Sequence, residues 1–210
     1  MIVRLLCCLA VFFCAASGPG RATEVLAPDA LAKTVTQDVL EAVRADKDLQ
    51  SGNSQKVLAL VESKVLPHFD FARMTQLAMG RNWRQATPDQ QKTVTNEFRT
   101  LLVRTYTAAF TQYRNQTVDY KPVKLAPNDT DVIVKSVINQ PGAQPIAVDY
   151  GMRKGADGWK VYDVKIEGIS LVENYRTTFN SEVQRGGVDG LIKALADKNR
   201  SLAQARTNGK

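Results

Sequence analysis

The hydrophobic period of this chain changes twice. Apolar residues recur every three to four positions as far as Arg114, alternate between Thr117 and Glu167, and return to helical spacing from Ser170. The strongest single pattern is Thr87–Arg114. It opens Thr87-Pro88-Asp89-Gln90, a hydroxyl N-cap, a proline at the first helical position and a glutamine three residues after the cap. No glycine or proline follows before Arg114, so nothing in the segment stops a helix. Val94, Phe98, Leu101, Leu102, Tyr106, Ala109, Phe110 and Tyr113 fan over roughly 160–180° of its circumference. A surface helix needs an apolar stripe of only about 100°. This helix therefore meets apolar material on more than one side, supplied by other side chains or by a ligand.

The segments before it are also helical. Pro28-Asp29 starts a helix with Leu31, Val35, Val39, Leu40 and Val43 on one face, and the polar stretch Asp48–Ser54 ends it. A second carries Val57, Leu60, Val61 and Val65 and stops at Pro67. Asp70 caps a short third helix with Phe71, Met74, Leu77 and Ala78 inward and Gly80 closing it.

Thr117–Lys121, Thr130–Ile138, Ile146–Arg153 and Trp159–Glu167 read as strands with short connections, which implies an antiparallel meander. In the third strand Ile146, Val148, Tyr150 and Met152 share one face; in the fourth, Tyr162, Val164 and Ile166 do. Ser170 and Glu173 form a second capping box, Gly186-Gly187 stops that helix, and a last one carries Leu191, Ile192, Leu195 and Leu202. The expected fold class is α+β, with helices packed on one face of a curved antiparallel sheet.

Residues 1–22 are set apart. Arg4, the apolar run Leu5–Ala16 and the small-x-small triplet Gly20-Arg21-Ala22 form a secretory signal peptide, leaving 23–210 as one domain. Cys7, Cys8 and Cys14 all lie in that leader, so the mature chain has no disulfide, thiol catalyst or cysteine-zinc site. The whole chain carries 28 basic and 21 acidic residues, a formal charge of +7 that falls to +5 without Arg4 and Arg21. The basic residues are dispersed, which fits a solvated basic surface and does not point to nucleic acid.

Candidate chemistry is sparse. His68 is the single histidine, which excludes paired-histidine metal sites. A buried strand carboxylate could serve an isomerase of a small cone-shaped fold. By strand parity, however, Asp149 and Asp163 point away from the apolar face and into solvent. What remains is apolar surface on facing elements, interspersed with the phenols of Tyr106, Tyr113 and Tyr150. A large solid core and a ligand cavity are both compatible with it.

Three stretches carry a resemblance. They are Val65–Gly80; Ala86–Gln91 with Phe98–Tyr106; and Trp159–Ser170 with Arg185–Leu191. In this order the chain resembles the MlaC, or toluene-tolerance, family of periplasmic phospholipid-binding proteins. The resemblance implies an apolar lipid cavity between sheet and helices, and a carrier with neither enzymatic activity nor cofactor. It further implies a phospholipid cargo, an inner-membrane ABC transporter complex and an outer-membrane lipoprotein–porin complex as partners, and a role in outer-membrane lipid asymmetry. On matching positions and facing parity, the tails would contact Met74, Leu77, Phe98, Leu102, Tyr106, Phe110, Ile146, Val148, Tyr150, Ile169 and Val172. Another apolar lipid such as a hopanoid would suit the same residues.

Overall fold

The computed structural model describes residues 26–111 and 116–208, without the side chains of 108–111 and 206–208. As expected, helices come first, then the sheet, then helix again: six α-helices and a five-stranded sheet among the described residues. Helix α1 (Pro28–Ala45) begins on its proline. The polar stretch after it does not simply end the helix. Asp46 accepts the N–H groups of Asp48 (2.8 Å) and Leu49 (3.4 Å) and starts a single turn, α2 (Lys47–Gln50), because that turn buries Leu49. Asn53 then caps α3 (Ser54–Leu60) through the N–H groups of Gln55 and Lys56.

The second apolar run is not one regular helix. After Leu60 the chain widens into a π turn (Val61–Val65) and tightens into a 3-10 turn at Leu66–His68. Asp70 accepts the N–H of Arg73 at 2.9 Å and caps α4 (Phe71–Met79), which ends at Gly80 with φ of 56°. Helix α5 (Pro88–Thr111) starts on the expected capping box: Thr87 Oγ1 accepts the Gln90 N–H at 3.2 Å, and Gln90 Oε1 accepts the Thr87 N–H at 3.0 Å.

The sheet is an antiparallel meander in the order β1 (Thr117–Tyr120), β2 (Asp131–Asn139), β3 (Ile146–Gly155), β4 (Gly158–Ile166) and β5 (Ile169–Ser170). The short β5, not expected from the sequence, forms because Glu167 (φ 50°) and Gly168 (φ 80°) make a two-residue turn that pairs Ile166 with Ile169. Farther along, where β5 leaves the edge of β4 open, Phe69 bridges Val161 and the Asp70 N–H donates to the Val161 carbonyl at 2.8 Å.

A bulge corrects the expected parity of β4. Tyr150 pairs with Val164 and Gly151 with Asp163, but Met152 pairs with Val161, so Tyr162 is the extra residue. Val161, not Tyr162, shares the face of Val164. The Tyr162 ring lies over Gly151, where even a Cβ would stand 3.2 Å from ring carbons.

Asp163 is the second correction: it is 8% exposed, not solvated. Its carboxylate accepts the Ser170 hydroxyl at 2.7 Å and the Val172 N–H at 3.2 Å, while Ser170 Oγ accepts the Glu173 N–H at 3.1 Å. The strand thus supplies part of the cap of α6 (Leu171–Asn208). Helix α6 breaks where expected, at Gly186 and Gly187; Gly187 has φ 67° and ψ −168°, a conformation reserved for glycine.

The buried residues fall into three clusters. One joins α4, α5 and α6 around Met74, Phe98, Phe179 and Leu191. A second joins α1, α2, α3 and the π turn around Val39, Val43, Val57 and Val61. The third lies on the sheet around Val134, Met152, Trp159 and Val161.

Candidate functional site

What separates the three clusters is a cavity of about 520 Å³ that opens to solvent. Each cluster gives it a wall. Helix α1 turns Leu31, Val35, Val39, Leu40 and Val43 toward it, a stripe with near-helical spacing. The π turn and its continuation add Val61, Val65, Leu66 and His68, followed by Phe69, Phe71 and Met74. The π turn itself contributes Val61 and Val65, and such turns recur at functional sites. The end of α5 contributes Leu102, Val103, Tyr106 and Thr107. The sheet forms the floor with Ile138, Ile146, Val148, Tyr150, Met152, Val161, Val164 and Ile166.

Polar groups in this shell are satisfied or neutral. Thr36 Oγ1 and the Tyr120 phenol share a hydrogen bond of 2.6 Å, which ties α1 to the sheet. The rings of Tyr120 and Tyr150 stack with centroids 6.4 Å apart. Burial pushes the Tyr150 phenol well above its ordinary range, with the neighbouring Tyr120 adding to it, and burial also raises Tyr120 against its Thr36 hydrogen bond. Ser136 donates to the Val148 carbonyl at 2.8 Å. Burial first, and the Lys160 charge second, hold His68 below the usual histidine value despite the opposing Asp38. His68 is therefore neutral at pH 7. No carboxylate, ammonium or guanidinium lines this cavity among the described residues.

Of the residues singled out in the sequence, Met74, Leu102, Tyr106, Ile146, Val148 and Tyr150 line the cavity. Four do not. Phe98 is 0% exposed and lies edge-on to Tyr175 and Phe179, each with ring centroids 4.9 Å away, inside the helical cluster. Leu77, three residues beyond Met74, packs on the same cluster. Val172, in the first turn of α6, is buried there too. Ile169 is 66% exposed in the β4–β5 hairpin. The side chain of Phe110 lies outside the described residues.

The walls from α1 and the π turn are not among the residues that the sequence marks as a site. Their apolar periodicity was visible, but it carried no mark distinguishing a cavity face from a core face. The carboxylate route to an isomerase loses its structural basis: Asp163 is held as a helix cap, and neither it nor Asp149 lines the cavity.

The fold and cavity define a class, an α+β shell whose helices and antiparallel sheet enclose an uncharged, largely apolar chamber open to water. The chain belongs to the MlaC family: the family model, described as MlaC protein, matches residues 33–197. It is 23% identical over 171 residues to the intermembrane phospholipid transport system binding protein MlaC of Haemophilus influenzae, covering 80% of each chain. It is 25% identical over 184 residues to the toluene tolerance protein ttg2D of Pseudomonas putida, covering 86% of this chain and 85% of that one. Among solved structures it resembles a phospholipid-binding protein from Ralstonia solanacearum in complex with a phospholipid, with 48% identity and a TM-score of 0.77. That match covers 83% of this chain and 98% of the other.

Proposed function

We propose that this chain is a phospholipid carrier that shields acyl tails in the cavity while the lipid crosses the periplasm. It would pass cargo between an inner-membrane ABC transporter complex and an outer-membrane lipoprotein–porin complex, and so maintain the lipid asymmetry of the outer membrane. Export would follow from the leader at residues 1–22, with 23–210 as the single lipid-binding domain.

The observation that carries this reading is the uncharged chamber of about 520 Å³ where a protein of this size would ordinarily close its core. Protein interiors pack densely, with few voids larger than a water molecule, and small-molecule sites occupy roughly 300–1,000 Å³. Two acyl tails hold ~30 methylenes at ~0.8 kcal/mol each, so exposing them to water costs about 24 kcal/mol. A wall of valine, leucine, isoleucine and phenylalanine removes most of that barrier without asking for a nucleotide or a metal.

Tail contacts are assigned to Met74, Leu102, Tyr106, Ile146, Val148 and Tyr150, joined by Val35, Val39, Val61 and Phe69 from the walls of α1 and the segment that follows α3. The names of the Haemophilus and Ralstonia relatives support a phospholipid as the cargo. The test is organic extraction of the purified protein followed by mass spectrometry. A diacyl glycerophospholipid is expected; a hopanoid, another apolar molecule or an empty protein would overturn the assignment.

A further inference from the structure

The polarity of the cavity is not uniform. Next to it lies a second cavity of about 240 Å³, and the two share Thr36, Leu40, Gln116, Val118 and Tyr120. On one side of that shared boundary the walls are hydrocarbon. At the boundary sit hydroxyl and amide groups, led by the Thr36–Tyr120 hydrogen bond. Beyond it the lining changes to Lys33, Gln37, Glu41 and Arg44. These four recur along one stripe of α1, beside the stripe that carries Val35, Val39 and Val43 into the main chamber. The sequence of environments is thus apolar, then neutral polar, then charged. A glycerophospholipid has the same order along its length: acyl tails, ester and glycerol oxygens, then a phosphodiester.

We propose that this vestibule between α1 and β1 is a headgroup subsite, in which Lys33 and Arg44 recognise the phosphodiester of a bound glycerophospholipid. The inference rests on the carrier reading above and adds the residues that hold the headgroup. Among the described lining residues, Lys33 and Arg44 stand against the one carboxylate of Glu41, a net positive charge that favours an anionic phosphate over an uncharged polar cap. Lys33, Glu41 and Arg44 are exposed, so the attraction is screened by salt and orients the lipid while the tails supply most of the affinity. Glu41, on the same stripe, faces whatever the phosphate carries and suits an ammonium or hydroxyl group better than a second anion.

The experiment loads the full-length mature protein from vesicles containing either phosphatidylglycerol or a diacylglycerol with the same tails. Uptake is quantified for the unaltered protein, for Lys33→Glu/Arg44→Glu and for the conservative Lys33→Arg/Arg44→Lys. The unaltered protein is expected to prefer the phosphatidylglycerol, and raising the salt should shrink that preference. Charge reversal should cut the preference by about 3- to 10-fold, with diacylglycerol uptake unchanged, and the conservative pair should keep it. Two outcomes overturn the subsite: a preference that survives charge reversal, or equal loss of both lipids in the reversed variant. If the unaltered protein takes up neither lipid, the carrier reading itself fails, which the diacylglycerol arm makes a separate result.

Discussion

Replacing Val148 with glutamate separates a cavity wall from a core position. Val148 is 6% exposed, sits in β3 between Ser136 and Ile166 in register, and lines the main chamber. In the empty protein a carboxylate there can be reached by water through the open mouth of the chamber, so folding loses only the burial of a valine, about 1.5–3 kcal/mol as an upper limit. In the loaded protein tails must displace that water. The carboxylate then stays charged at a cost of several kcal/mol, or takes up a proton. A rise of about 3 pKa units costs ~4 kcal/mol at pH 7. Either route weakens lipid binding by about a thousandfold. Val148→Glu should therefore purify folded, with a thermal midpoint a few degrees below the unaltered protein, and yield almost no extractable lipid.

Two companions complete the comparison. Phe98→Glu places the charge against the rings of Tyr175 and Phe179 with no water in reach, and should prevent folding. Ile169→Glu, at a site 66% exposed, should change neither stability nor lipid content. Lipid per protein by mass spectrometry and midpoints by circular dichroism read all three. Normal lipid content in folded Val148→Glu, or lost lipid in Ile169→Glu, would refute the division of residues between chamber, core and surface.

Asp163→Ala removes the acceptor of the Ser170 hydroxyl and the Val172 N–H and should lower stability by about 1–3 kcal/mol; an unchanged urea midpoint would show that the strand does not help cap α6. Gly187→Ala forces a side chain into φ 67°, ψ −168° and should cost about 1–3 kcal/mol, again read by urea. His68 titrates below its ordinary value of about 6.5 because burial and Lys160 disfavour its charged form. Its neutral form thus contributes stability that is complete above that ordinary value and lost as pH falls through the lower, folded one. Replacing His68 with glutamine should flatten the pH dependence of the urea midpoint between pH 7 and 5, and an unaltered slope would assign that dependence to other groups.

Features that one segment settles alone were legible in its own residues. The capping pairs Thr87–Gln90 and Ser170–Glu173, the Asp70 cap and the Gly186-Gly187 break depend on groups within a few residues of one another, and each stands where the pattern put it. The β3 face of Ile146, Val148, Tyr150 and Met152 was legible for the same reason, since alternation is a property of one strand. Even the split of α5 was partly visible: the helix was too apolar for one contact, and Leu102 and Tyr106 meet the chamber while Val94 and Leu101 meet other helices.

Features that depend on what stands opposite an element emerge only when the elements pack together. Periodicity tells which side of an element is apolar. It does not tell whether the space beyond holds a phenylalanine ring or a void, and so Phe98 and Val172 go to the core while Val35, Val39 and Val43 border the chamber. One inserted residue at Tyr162, fixed by pairing with β3, reversed the parity of the first half of β4. Asp163 became a helix cap only because Ser170 folds back across the edge of the same strand. The shape of the chamber is set by distances between elements remote in the chain, and no single segment encodes them.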